Sequence, residues 1–246
     1  MLRVYKTIRM SGEHSSRLLN FSPDGRLYQI EYSLDAIKFG SNSIGIKNNY
    51  GALILVENSK ESELIENKSF SKIITFNKKL GCSVSGLTSD ARFLIDKTFN
   101  YIENNFFIFN SVPNVENCAK KIRDLISFSS FPENGNFISS RPFGLAFMIV
   151  GLDCTEVKLF LVDPSGEYNS QNICALGGGH RESLFILNEG YRKKMPLIET
   201  QQFALKVLRA VLRQNIEKSE IEMGSMEKLQ RTFLHSWIDK TLINIL

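Results

Sequence analysis

Residues 21–40, FSPDGRLYQIEYSLDAIKFG, constrain this chain more than any other stretch. Ser22-Pro23-Asp24-Gly25 suits a type I turn, with Ser first, Pro second and Gly last. Leu27, Ile30, Leu34 and Ile37 then recur at helical spacing, while Arg26, Gln29, Asp35 and Lys38 fall mostly on the other side. Gly40 supplies a helix stop directly before the first strand-like segment. A turn, an amphipathic helix and a glycine stop in front of a strand describe a helix whose apolar stripe is covered by the sheet that follows.

The order of elements behind it is regular. Residues 43–47 and 52–57 read as strands joined by Asn48-Asn49-Tyr50-Gly51, and residues 73–76 and 80–85 as a second hairpin across Asn77-Lys78-Lys79. Two helices follow. Ala91, Leu94, Ile95, Thr98 and Ile102 share one face behind Ser89 and Asp90, and Val115, Cys118, Ala119, Ile122, Leu125 and Ile126 share another behind Asn114 as cap. Strands return at residues 143–150, a nearly continuous apolar run that suits a strand covered on both faces, and at 157–162. A strand around 172–176 leads into helices near 181–193 and 199–214. A short strand near Ile221 and a helix from about Ser236 close the chain. Strands, two helices, strands, two helices is an α+β order that fits a four-layer αββα sandwich with an extra N-terminal helix.

Composition removes several classes. With 43% hydrophobic and 23% charged residues the chain is globular, and its 246 residues allow one large domain or two small ones. No segment reads as a linker or an internal repeat, and no apolar run has the length of about 18 residues that a membrane span needs. The leader, residues 1–20, is basic but lacks the apolar core of a signal peptide, so the expectation is a cytoplasmic and nuclear protein. A net charge of +4 is too mild to argue nucleic-acid binding; Arg192-Lys193-Lys194 and the face of Lys206, Arg209 and Arg213 read as solvated helix surface. Cys82, Cys118, Cys154 and Cys174 fit no zinc spacing and are expected to be buried free thiols in a reducing compartment. His14, His180 and His235 lie far apart, and Gly177-Gly178-Gly179 has neither dinucleotide nor P-loop spacing, so it reads as a tight strand-to-helix connection. No metal and no cofactor are expected.

Residues 21–40 closely resemble the N-terminal signature of alpha-type subunits of the proteasome core particle. Four later segments match in order: Ser85-Gly86-Leu87, Ser140-Arg141-Pro142-Phe143-Gly144, Asp163-Pro164-Ser165-Gly166, and Ala175-Leu176-Gly177 with the helix after it. The wording IKFG and SIGIK, the SRPFG block and Glu220-Ile221-Glu222 look most like the fifth of the seven eukaryotic alpha types. The resemblance implies the N-terminal-nucleophile hydrolase sandwich. It also implies a gate tail over residues 1–20 and a single domain over 21–246.

Catalytic members of this fold begin at a threonine whose hydroxyl attacks while its own free amine acts as base. The corresponding place here is Ser41-Asn42-Ser43, whose nitrogens are amides without basicity. Cleavage before Ser41 or Ser43 would make a self-processing N-terminal-nucleophile hydrolase, the alternative reading. An ordered turn and helix abutting the sheet argue against such cleavage and for a non-catalytic subunit.

In the family, seven alpha subunits form a hetero-heptameric ring, and two such rings cap two catalytic beta rings in ubiquitin- and ATP-dependent protein degradation. The implied partners are other alpha subunits, beta-ring subunits, and regulatory-particle ATPases or other activators. The helix after Ser89 would face the beta ring, and the helix of residues 26–37 would face alpha neighbours. Pro23 and Tyr32 match positions that hold the open gate, while a Tyr-Asp pair upstream of the turn falls on His14-Ser15, a departure that leaves one hydrogen-bonding ring and no charge. Lys72 matches the lysine that pairs with the terminal carboxylate of an activator tail. Gly40, Gly86 and Leu87 match the lining of that pocket, where a missing side chain lets the tail approach.

Overall fold

The computed structural model describes residues 21–59, 71–130, 141–212 and 219–238. Helix α1 spans Tyr28–Lys38, followed by β1 (Ser43–Lys47), β2 (Gly51–Ser59), β3 (Ile73–Asn77) and β4 (Leu80–Gly86). Helices α2 (Thr88–Phe109) and α3 (Val115–Ser130) come next, then β5 (Leu145–Asp153), β6 (Glu156–Val162), β7 (Tyr168–Ser170) and β8 (Ile173–Leu176). Helices α4 (His180–Gly190) and α5 (Leu197–Leu212) precede β9 (Ser219–Glu227) and β10 (Phe233–Ile238). The strands form two antiparallel five-stranded sheets, ordered β10-β9-β2-β1-β8 and β3-β4-β5-β6-β7.

Strand alternation builds the four layers. Successive side chains of a strand point to opposite faces. In β2, Ala52, Ile54 and Val56 enter the core between the sheets, while Leu53 and Leu55 face α4 and α5 beside Leu187, Ala204 and Leu208. In β5, Ala146, Met148 and Val150 meet the same intersheet core, while Leu145, Phe147 and Ile149 pack under α2 and α3 against Leu94, Ile122 and Ile126. Both central strands are therefore apolar on both faces, which is why β5 reads as an unbroken run. Each fully buried Val, Leu, Ile, Phe or Met among them contributes roughly 1.5–3 kcal/mol by transfer from water. Ile37 of α1 belongs to the intersheet cluster, with Leu34 packed beside it.

The sandwich, the N-terminal helix and both hairpins agree with the sequence reading, and four details correct it. Residues 236–238 are not the start of a helix: they finish β10, which pairs with β9 from Phe233 opposite Met226 to Ile238 opposite Ile221. Phe233 explains this, because its ring lies between the sheets where side chains at Gly81 and Gly224 would collide with it. The short strand β7 was not foreseen, and α4 stops at Gly190, ahead of the expected Lys193. Cys154 is exposed in the β5–β6 turn with a positive φ of 48°, whereas Cys82, Cys118 and Cys174 are buried. Burial pushes all three inner thiols up, that of Cys118 to about 12, so they are poor nucleophiles. Among the described residues, no helix is long and apolar enough to cross a membrane, and no group of three or more His, Cys, Asp or Glu could hold a metal.

Candidate functional site

The segment between α1 and β1 is held against the ends of β3 and β4. The Phe39 and Gly40 amides close the last turn of α1 onto the Ala36 and Ile37 carbonyls. Gly40 then passes so close to β4 that a Cβ there would overlap the Gly86 amide nitrogen and lie 3.0 Å from the Gly86 Cα. Gly86 has a φ of 118°, a region that side-chain-bearing residues rarely adopt, and its own Cβ would press on the Gly144 carbonyl. The Ser85 hydroxyl donates to the Ser41 carbonyl at 2.9 Å, and the Glu57 amide donates to the Asn42 carbonyl at 2.9 Å. Asn42 is fixed in turn: its side-chain amide donates to Glu57 at 2.8 Å and its side-chain oxygen accepts from the Gly179 amide at 2.7 Å.

Beside this junction lies a cleft of about 230 Å³. Ser41, Ser71, Lys72 and Gly86 form one wall, and Thr88, Arg92 and Asp96 of α2 form the other. The Lys72 ammonium donates to the Ser41 hydroxyl, both within this lining. The fold thus places Lys72 and Gly86 in the lining, with Gly40 packed directly on Gly86. Leu87 is adjacent and 43% exposed; its amide donates to the Gly144 carbonyl at 3.0 Å. Ser43 is different: it is fully buried within β1, opposite Val56 and Leu176, and cannot be presented to a substrate.

Pro23 and Tyr32 sit apart from the lining of this cleft. Pro23 is exposed in a turn closed by the Gly25 amide on the Ser22 carbonyl at 2.9 Å, and the buried Ser22 hydroxyl accepts from the Arg26 amide at 2.9 Å. Tyr32, 62% exposed on α1, stacks on Tyr28 with ring centroids 6.3 Å apart. Arg26 covers Tyr28 at 5.6 Å and forms a two-point pair with Glu31 at 2.8 and 2.6 Å, which raises the guanidinium pKa through hydrogen bonding and charge. His14 and Ser15 lie outside the described residues.

Residues 37–226 match the family described as Proteasome subunit. The chain belongs to that family. It is 35% identical over 222 residues to the Proteasome subunit alpha type-5 of Dictyostelium discoideum, covering 90% of this chain and 91% of the relative. It is 33% identical over 214 residues to the alpha type-5 subunit of Trypanosoma brucei brucei, covering 86% of each. The Proteasome subunit alpha of Saccharolobus islandicus (strain L.S.2.15 / Lassen #1) is 33% identical over 206 residues, 83% of each chain. These relatives are alpha subunits of a protease complex, so the recognition drawn from residues 21–40 and the later segments holds.

In this proteasome-family member two groups beside the cleft escaped the sequence reading. Asp90, read as a helix start, is nearly buried in the first turn of α2 and accepts two bonds from Arg141, at 2.8 and 2.9 Å, and one from the Gly144 amide at 3.2 Å. Its negative charge also suits the positive end of the helix. Glu222, read only as part of a family signature, has no exposed surface and lies against Lys72. Spacings of 51 and 150 residues carry no signal in a single sequence; a charged residue flanked by strand-like apolar residues, as in Ile221-Glu222-Met223, is the one available hint.

Proposed function

We propose that this chain is a non-catalytic structural subunit of the alpha ring of the proteasome core particle. It contributes to ring assembly, to the substrate-entry gate and to the docking of activator tails in ubiquitin- and ATP-dependent protein degradation, in the cytoplasm and nucleus. The Gly40–Ser41 junction carries this reading. A catalytic relative of the same fold would begin at this point with a free amine. Here the chain runs on through Gly40 over Gly86, and Ile37, a little upstream, is part of the intersheet core. The Ser41 hydroxyl has a lysine partner, but its nitrogen is a peptide amide.

The same geometry favours docking. A lysine ammonium in the lining of a narrow cleft, with glycine backbone alongside, can take the terminal carboxylate of an extended tail. Residues 1–20 serve as the gate tail, with His14 and Ser15 in place of the usual Tyr-Asp pair, and Pro23 and Tyr32 brace its base. Residues 21–246 form the αββα domain. Hetero-heptameric alpha neighbours, the beta ring and regulatory ATPases or other activators are the partners.

Lys72→Ala tests the docking. Activator-tail affinity of the particle is expected to fall about tenfold, the equivalent of one charge-assisted hydrogen bond, with assembly undisturbed. Unchanged activator-stimulated peptide hydrolysis would remove Lys72 from the site. Intact mass tests the absence of self-processing: a chain of 28.0 kDa in the assembled particle supports the subunit reading, and a new Ser41 terminus sinks it.

A further inference from the structure

We propose that Glu222 is the positioning residue for Lys72, an inference that rests on the docking role given to Lys72 above. A carboxylate without solvent exposure is costly unless its oxygens are satisfied. Those of Glu222 are fully engaged. The Lys72 amide lies 3.0 Å from Oε1 and 3.1 Å from Oε2, and the Ile73 amide donates to Oε2 at 3.1 Å. The Asn58 side-chain amide donates to Oε1 at 2.8 Å. The Ser71 hydroxyl is 2.7 Å and His235 Nε2 3.3 Å from Oε2.

The placement gives this cluster its meaning. Glu222 lies in β9 of one sheet, whereas Ile73 opens β3 of the other directly behind Lys72, so one carboxylate ties the two sheets at the edge of the cleft. The Lys72 carbonyl is held as well, accepting from the Val84 amide at 3.3 Å. With both its amide and its carbonyl anchored, the Lys72 backbone is fixed, which sets the direction in which the side chain leaves the chain to reach the Ser41 hydroxyl. Glu222 is not itself part of the cleft lining; it acts from behind it, through Ser71 and the backbone of Lys72.

Because both oxygens receive backbone or side-chain N–H donors, glutamine cannot substitute. In either orientation of its amide an NH2 faces an N–H. Aspartate retains the charge but falls one methylene short of the Lys72 and Ile73 amides. Glu222→Gln and Glu222→Asp are therefore tested side by side in the assembled particle, so that poor folding of one leaves the other informative.

Two readouts are used. The first is acetylation of Lys72 by an amine-reactive ester, measured by peptide mass spectrometry relative to Lys158. Release of the Lys72–Ser41 contact is expected to raise it about fivefold, the equivalent of one net hydrogen bond, while general destabilisation would raise both lysines together. The second is the affinity ratio of two synthetic peptides bearing the C-terminal sequence of a regulatory ATPase, one ending in a free carboxylate and one amidated. The parent particle should prefer the acid, and the variants should lose about tenfold of that preference. Unchanged Lys72 labelling in both folded variants overturns the positioning role. Raised labelling in the variants, with no acid preference in the parent particle, supports that role and overturns the docking reading instead.

Discussion

The two ends of α2 look out on opposite kinds of surface. At its N-terminal end, Asp90 is locked to Arg141 and the Gly144 amide, and Thr88, Arg92 and Asp96 face Lys72, Ser41 and Gly86 across a small polar-edged cleft. At its C-terminal end, Phe106, Phe107, Ile108 and Phe109 are 54%, 88%, 68% and 68% exposed, and Phe106, Phe107 and Val112 border a broad apolar hollow beside Phe76 and Ile102. One end is finished, with charges paired and backbone in close contact. The other presents a contiguous row of large apolar side chains, the kind of patch that marks an interaction surface. The contrast separates two kinds of surface: a small cleft edged by charge and close-packed backbone, and a flat apolar face left uncovered in the single chain.

The largest expected effect lies at the finished end. Gly86→Ala puts a Cβ onto the Gly144 carbonyl and 2.8 Å from the Leu145 Cα, on a backbone with φ of 118°. Overpacking at about 1–3 kcal/mol and strain of similar size sum to about 3 kcal/mol or more, read as lost thermal stability or failed incorporation into the particle. A fully stable variant would show that the cleft is looser than its geometry implies. A smaller effect is expected for Asp90→Asn, which keeps the shape but weakens both Arg141 bonds. Denaturant unfolding should show a loss of about 1–2 kcal/mol, moderated because Arg141 is half exposed. A loss near zero would reduce the pair to surface decoration.

The smallest effect on the chain itself is expected at the open end. Phe107→Asp should change its stability by no more than about 0.5 kcal/mol, because the ring is almost free of the fold. Its consequence should appear in assembly, as reduced incorporation into the particle by native electrophoresis. Equal incorporation of the variant would break the contrast between the two ends.

Most of the fold was legible because its signals are local. The apolar run of β5, the Asn48–Gly51 turn and the stripe of α1 each announce themselves within a few residues. β10 did not, since Leu234 and Trp237 alternate weakly and the position of Phe233 depends on glycines in β4 and β9. β7 is three residues long and leaves no pattern. The exposure of Cys154 follows from the tight β5–β6 turn rather than from the residue type. At the site, Lys72, Gly40 and Gly86 came from family likeness, and periodicity would have left them as an ordinary lysine and two ordinary glycines. The Lys72–Ser41 contact and the part played by Glu222 depend on residues brought together from both sheets, and only the folded chain reveals them.

Strand order also sets a timetable for synthesis. The sheet β3-β4-β5-β6-β7 joins neighbours in sequence, so each strand finds its partner as soon as it emerges. The other sheet cannot do this. The β1–β2 hairpin, made first, is flanked by β8 and β9, so it waits with two open edges for residues 173–176 and 219–227. It carries apolar side chains on both faces, Ile44, Ile46, Leu53 and Leu55 on one and Ala52, Ile54 and Val56 on the other, which makes it an adhesive part of the growing chain. That hairpin is therefore the segment of the nascent chain whose open edges wait longest for their partners.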